Sequence, residues 1–285
     1  MRSPMLVSNI QPFVRYARHM HFDRSTDFFE VIARDARLFY VTGGCGKIKV
    51  MDKDYELCEN SLLIINAGIR YCIETPKETV DYIVINFDYT RRCEHLTAPI
   101  NPIKPESFDP QMLTDPCEFE DISALNETLL LKDISQIQKK LTKIVSEYTQ
   151  KLLYHKEKSS HLLAECIFEA LRYWQRRHIS PEPSKTNGMI DYIQAHFTEA
   201  LTNESMAKKF GYHKNYVSYL MKQMTGMPLH KYILHLRLMN AVRLLEDTDL
   251  SVSEISAASG FYDVAYFSSY FKTHFGVTPS KYKVR

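Results

Sequence analysis

A chain of 285 residues with 45% hydrophobic and 25% charged side chains is long enough for two separate cores and has an ordinary globular composition, which excludes a disordered or fibrous chain. The formal net charge of +2 is too small to announce nucleic acid by itself, so any such function must be read from pattern. No apolar run approaches the roughly 20 residues that span a bilayer, and Met1-Arg2 is followed by no apolar signal core, so the expectation is a cytoplasmic protein without a membrane partner.

From about Phe13 to Tyr89, short β-branched and aromatic runs (FFEVIA, RLFYVTG, KIKVM, SLLIIN, YIVINF) are separated by GGCG, DKDY, NAG and TPKE, which predicts a small antiparallel sandwich or barrel. Six cysteines lie scattered with no CxxC pair, the pattern of reduced thiols. Cys93 and His95 lack further ligands at metal spacing, so no metal and no cofactor is expected. Asn101 to Pro116 holds four of the twelve prolines and reads as an irregular crossing over the sheet surface.

Beyond the crossing the period changes. Ile134, Ile137, Leu141, Ile144, Val145, Tyr148 and Leu152 fall at helical steps, as do Leu162, Leu163, Cys166, Ile167, Ala170, Leu171 and Trp174 after the polar HKEKSS, so a helical hairpin is predicted over 134–178. Its stripes need a cover, either their own sheet or the seam of a homodimer, and the seam is the expected function. ISPEPSKTNG then marks a linker over 179–187, which separates a first domain, 1–178, from a second, 188–285.

The second domain contains a duplication. AKKFGYHKNYVSYLMKQMTGMPLHKY can be laid on SAASGFYDVAYFSSYFKTHFGVTPSKY so that Gly211 matches Gly260, Ser218 matches Ser268, Lys222 matches Lys272, Gly226 matches Gly276 and Tyr232 matches Tyr282. Each copy reads as a short helix, a glycine turn and a longer helix, with Asn203 and Ser251 as predicted N-caps and Gly211 and Gly260 as left-handed helix ends. That is the helix-turn-helix layout, in which the second helix enters the major groove. A helix from about Leu229 to Leu245, roughly 25 Å long at 1.5 Å per residue, joins the copies and suits recognition helices set in successive grooves.

The stretch RLMNAVRLLEDTDLSVSEISAASGFYDVAYFSSYFKTHFGVTPSKY resembles the signature of the AraC/XylS transcription regulators, with Arg237, Ala241, Leu244, Leu245, Ile255, Gly260, Phe261, Tyr266, Phe267, Phe271, Lys272, Gly276, Pro279 and Tyr282 in their expected places. The likeness covers about Gly188 to Arg285. It implies an α+β multidomain chain: a cupin-like barrel with a helical hairpin, then an all-α domain of two helix-turn-helix units joined by a linker helix. The implied partners are double-stranded DNA, a second copy of the chain, a small effector such as a sugar and, for an activator, RNA polymerase.

At helical spacing Tyr216, Val217, Leu220, Met221, Tyr266, Phe267, Tyr270 and Phe271 read as core, which leaves Lys214, Asn215, Ser218, Tyr219 and Lys222 in one copy and Val264, Ala265, Ser268, Ser269 and Lys272 in the other to face DNA. Lys222 and Lys272 are expected on phosphates, Asn215 on adenine, and Val264 or Ala265 on a thymine methyl. Tyr219 and Ser269 stand where the family often carries arginine, and His213 and Tyr262 where it usually has a small polar cap. These departures point to more shape-dependent base reading.

For the effector, strand alternation places Arg34, Tyr40 and Thr42 on one face, and the resemblance adds Tyr71, Tyr82 and Asn86 to the same interior. Two rival readings stand beside it. The first half could serve only dimerisation or protein binding, or it could be a metal-dependent cupin enzyme, against which the stretch between His21 and His95 offers no histidine.

Overall fold

The computed structural model describes residues 2–24, 29–74, 78–96, 99–179 and 183–283. The chain divides into two compact units, Met1–Trp174 and Gln175–Arg285, and no helix among the described residues is long and apolar enough to cross a membrane.

The first unit is built on two antiparallel sheets. One has the order β11 (Leu129–Leu131), β7 (Leu62–Ile65), β4 (Ala36–Gly43), β9 (Val80–Asp88), β2 (Phe13–Phe22), and the other β3 (Val31–Ile32), β8 (Arg70–Ile73), β5 (Cys45–Val50), β6 (Lys53–Cys58). β1 (Ser3–Met5) and β10 (Cys117–Phe119) form a short parallel pair. No ladder joins the two larger sheets, so among the described residues the expected barrel is not closed by hydrogen bonds and the unit is an open sandwich.

The five-stranded sheet is buried on both faces, as strand alternation requires when each face meets its own layer. Phe39, Val41, Leu63, Ile65, Tyr82 and Val84 share a core with Ile48, Val50, Leu57 and Tyr71 of the second sheet. Leu38, Tyr40, Leu62, Ile64, Ile83 and Ile85 turn the other way and pack on Leu141, Ile144, Leu163, Ile167 and Ala170 of the helices α1 (Gln138–Gln150) and α2 (His155–Ile179). The helical stripes are therefore covered by the chain's own sheet rather than held ready for a dimer seam. Leu152, assigned to that stripe, instead lies exposed in the α1–α2 turn with Leu153 and Tyr154.

One expectation fails in the second sheet. Cys45 and Cys58 are direct partners in the β5–β6 hairpin, with Cα atoms 4.0 Å apart, and form a disulfide instead of two reduced thiols. The proline-rich crossing is tied down by a buried ion pair: Arg15 donates to Asp88 and to the carbonyls of Cys93 and Leu96, while Thr114 donates to the other oxygen of Asp88. A backbone bridge between Ile32 and Ile103 fixes its middle.

The second unit contains α3 (Pro183–His196), α4 (Asn203–Phe210), α5 (Lys214–Thr225), α6 (Leu229–Asp247), α7 (Val252–Ala258), α8 (Val264–Phe275) and α9 (Pro279–Lys283). Of the expected linker, 180–182 lie outside the described residues and 183–187 are already helical, because proline suits the first turn of a helix. Two cores form. Met189, Ile193, Val217, Leu220 and Met221 pack on Leu229 and Ile233 at the start of α6, while Ile255, Phe261, Phe267 and Phe271 pack on Leu238, Ala241, Leu244 and Leu245 at its end.

The helix starts correct two caps. Thr202, not Asn203, caps α4 and closes a capping box with Ser205, and Asp263, not Tyr262, caps α8 by accepting from the Tyr266 N–H at 2.6 Å. Ser251 caps α7 as expected, with Glu254 completing the box. Gly260 lies at φ +84°, and a Cβ there would stand 2.6 Å from Thr198 Cα and 2.8 Å from its carbonyl oxygen. Gly276, at φ +75°, has nothing within 4 Å of that position. Gly260→Ala therefore combines left-handed strain with a backbone clash and is expected to cost about 2–4 kcal/mol, whereas Gly276→Ala costs about 1 kcal/mol; urea unfolding of both variants, with equal losses as the contrary result, checks this.

Candidate nucleic-acid interface and effector cavity

The solvent faces of α5 and α8 carry the residues that the duplication singled out. On α5, Lys214, Asn215, Tyr219 and Lys222 are exposed and Ser218 half-buried, while Val217, Leu220 and Met221 are buried beneath them. On α8, Val264, Ala265, Ser269 and Lys272 are exposed and Ser268 half-buried over buried Phe267 and Phe271. Both helices thus show one apolar stripe inward and one polar or small-residue stripe outward.

Two tyrosines depart from the expectation. Tyr266, read as core, is 51% exposed, and Tyr262, read as a cap, is 83% exposed. Helical spacing alone missed Tyr266 because it sits in the first turn, where the α8 stripe has not yet met a covering layer. Lys214 lies 3.7 Å from Glu204, whereas Lys222 and Lys272 enter no ion pair among the described residues and are open to phosphates.

Within the second unit, Arg237 ties the middle of α6 to the end of α3. From the middle of α6 its Nε donates to the Phe197 carbonyl at 2.8 Å and its Nη2 to the Glu199 carbonyl at 2.8 Å, just past the end of α3. Burial lowers the affinity of this guanidinium for its proton. Its nitrogen is also among the nearest atoms to Gly260, so the turn of the second helix-turn-helix, the linker helix and the end of α3 meet at one point.

In the first unit a cavity of about 350 Å³ lies against Phe22, Phe39, Val84, Asn86 and Tyr71, under Pro99–Pro102 at the start of the crossing and just before it. Tyr71 and Asn86 line it, as expected. Tyr82 shares the same buried layer but is not part of the lining; its hydroxyl is without a hydrogen-bond partner and packs over Gly46. Tyr40 is a correction: it faces the helices and donates to Asn60 Oδ1 at 2.8 Å. Thr42 donates to the Asp81 carbonyl and Arg34 to the Met112 carbonyl, and neither reaches the cavity.

The residue missed is Arg37, the direct partner of Asn86 across β4 and β9. It is 5% exposed, and it donates to Asp35 Oδ1 at 2.9 Å, to the Tyr71 hydroxyl at 3.2 Å and to the Ile100 carbonyl at 3.2 Å. Asn86 is equally buried, and its Oδ1 accepts nothing. Burial pushes the Asp35 carboxyl up to about 6 against the lowering pull of Arg37. Among the described residues no three His, Cys, Asp or Glu side chains gather as a metal site.

A family model described as "Helix-turn-helix domain" matches residues 206–285. The chain is 38% identical over 93 residues to the uncharacterized HTH-type transcriptional regulator YijO of Escherichia coli, an alignment covering 33% of each chain. It is 22% identical over 271 residues to the Msm operon regulatory protein of Streptococcus mutans, covering 92% of this chain and 88% of that one. Among solved structures, a transcriptional regulator of Chromobacterium violaceum described as AraC-type DNA-binding domain-containing is 32% identical with a TM-score of 0.33, over 35% of this chain and 90% of that one.

The raised Asp35 carboxyl has a definite sign. Its folded value of about 6 lies above the unfolded value near 3.9, so the folded state holds the extra proton between them and stability falls as pH rises through that window. The loss amounts to roughly 3 kcal/mol, and Asp35→Asn is expected to flatten the slope of unfolding free energy between pH 4 and 6.5. An unchanged slope in that variant would place the proton elsewhere.

Proposed function

We propose that the chain is a sequence-specific, DNA-binding transcription regulator of the AraC type controlled by a small polar effector, a reading supported by the helix-turn-helix match over residues 206–285 and by the relatives named as regulators. The observation that carries the DNA reading is the pair of exposed second-helix faces, on α5 and α8, held on one shared helix. α6 has 19 residues and so spans about 28 Å, a length that suits recognition helices placed about one helical turn of DNA apart. The relatives carry the names of regulators, which supports this reading over that of an enzyme.

The effector reading rests on the first unit, taken as a cupin-like sandwich. Arg37 is balanced by Asp35 at 2.9 Å, so the cavity wall carries little net charge to hold an anion. The unpartnered Asn86 Oδ1 calls instead for a hydrogen-bond donor, and Tyr71, Phe39 and Phe22 offer ring faces. A sugar or similar polyol meets both demands. The regulator is further read as a cytoplasmic homodimer that, if an activator, also touches RNA polymerase. Ligand and DNA are coupled only if the effector prefers one arrangement of the chain over another.

Selection of bound sequences from a random DNA library with the full chain, followed by gel-shift titration of the winner, tests the DNA reading. Two boxes about one helical turn apart are expected, with Lys222→Ala and Lys272→Ala each lowering the salt slope by about one and weakening all sequences alike. Failure to enrich any sequence sinks it. Calorimetric titration of monosaccharides and disaccharides into the chain tests the effector; heat that disappears in Asn86→Leu supports it, and silence across the panel leaves the first unit as a dimerisation or protein-binding module.

A further inference from the structure

The two recognition helices present different chemistry. α5 exposes Lys214, Asn215, Tyr219 and Lys222, and its first turn is capped by the imidazole of His213, whose Nδ1 accepts from the Asn215 N–H at 3.3 Å. At the corresponding end, α8 exposes Val264, Ala265 and Tyr266, and the turn before it exposes Tyr262; neither a cation nor an amide side chain stands among them. Its N-terminus is already occupied by the Asp263 carboxylate, which takes the Tyr266 N–H and sets a negative charge where a phosphate would otherwise dock.

Such an apolar end is costly to leave in water, and its rings are held rather than loose. Tyr266 stacks on Tyr270 at 5.8 Å with 25° between planes, and the Arg237 guanidinium lies 6.0 Å from the Tyr262 ring centre. Held rings bind at a smaller cost in conformational entropy. In the major groove the apolar feature they can meet is the thymine 5-methyl group, which distinguishes A·T from G·C without a hydrogen bond.

We propose that α5 reads its half-site through charge and hydrogen bonds while α8 reads a thymine-rich half-site through apolar contact of Tyr262, Val264, Ala265 and Tyr266 with 5-methyl groups. This rests on the DNA-binding reading above and adds Tyr262 and Tyr266 to the interface as specificity-determining residues. DNA is favoured over a protein as the occupant because the face of Ala265 continues along the helix into Ser269 and Lys272, exposed and suited to a phosphate backbone.

The test uses the full chain and its selected site, with deoxyuridine in place of thymidine, one box at a time. Deoxyuridine keeps base pairing and removes only the methyl group. Affinity is expected to fall about four-fold per contacted methyl in one box and to stay unchanged in the other. In Val264→Ser and in Tyr266→Ser that sensitivity should shrink, with the thermal unfolding of each variant matching the parent. Equal tolerance of deoxyuridine in both boxes overturns the proposal, as does a sensitivity that both variants retain. Variants that bind the site normally yet fail to regulate transcription from it overturn it in favour of a protein on this face. Failure to select any site is a different result, since it removes the DNA-binding reading itself.

Discussion

The second unit depends on a single shared helix. α6 supplies Leu229 and Ile233 to one core and Leu238, Ala241, Leu244 and Leu245 to the other, so neither helix-turn-helix has a complete core without it. A helix common to two cores still allows each to twist about its axis. Arg237 and Gly260 remove that freedom: the guanidinium holds the carbonyls beyond α3, and the absent Cβ lets the second turn press on Thr198. The two helix-turn-helix copies are thereby tied together, with the spacing between them set by the backbone geometry of α6.

The first unit follows a comparable constraint. A five-stranded sheet covered by a second sheet on one side and by helices on the other has little solvent face, so the middles of its central strands are apolar in both alternating sets of positions. Polar groups on such strands must find partners inside. Arg37 does so through Asp35, Tyr71 and the Ile100 carbonyl, and Asn86 beside it retains an unpartnered oxygen. The layer therefore combines a balanced charge pair with an unmet acceptor at one cavity, the combination on which the effector proposal rests.

Much of this was legible in the residues, and the failures have identifiable causes. The duplication showed the two helix-turn-helix copies because the glycines, apolar stripes and matched lysines repeat together. The face of β4 was not legible: in ARLFYVTG both faces are buried, so alternation carries no polar signal, and choosing Tyr40 over Arg37 was a one-residue error that inverts every side chain. The disulfide was hidden for another reason. Cysteine spacing carries no motif here, but a two-residue turn at Met51–Asp52 sets Val50 opposite Lys53 and, by register, Cys45 opposite Cys58. Tyr266 escaped because helical periodicity tells which side of a helix is apolar, not whether a neighbour covers its first turn.

Unlike faces on α5 and α8 bear on a question that the duplication raises. Two identical reading heads on one shared helix would bind a repeated box in more than one register, each head accepting either half. A head that presents lysine, asparagine and an imidazole cap cannot exchange its half-site with one that presents tyrosine, valine and a carboxylate cap, because each would leave the other's partners unmatched. The duplicated unit thus lost its internal symmetry on the solvent side while keeping it in the core. On the proposed reading, the second unit of a single chain then lies on its site in one direction.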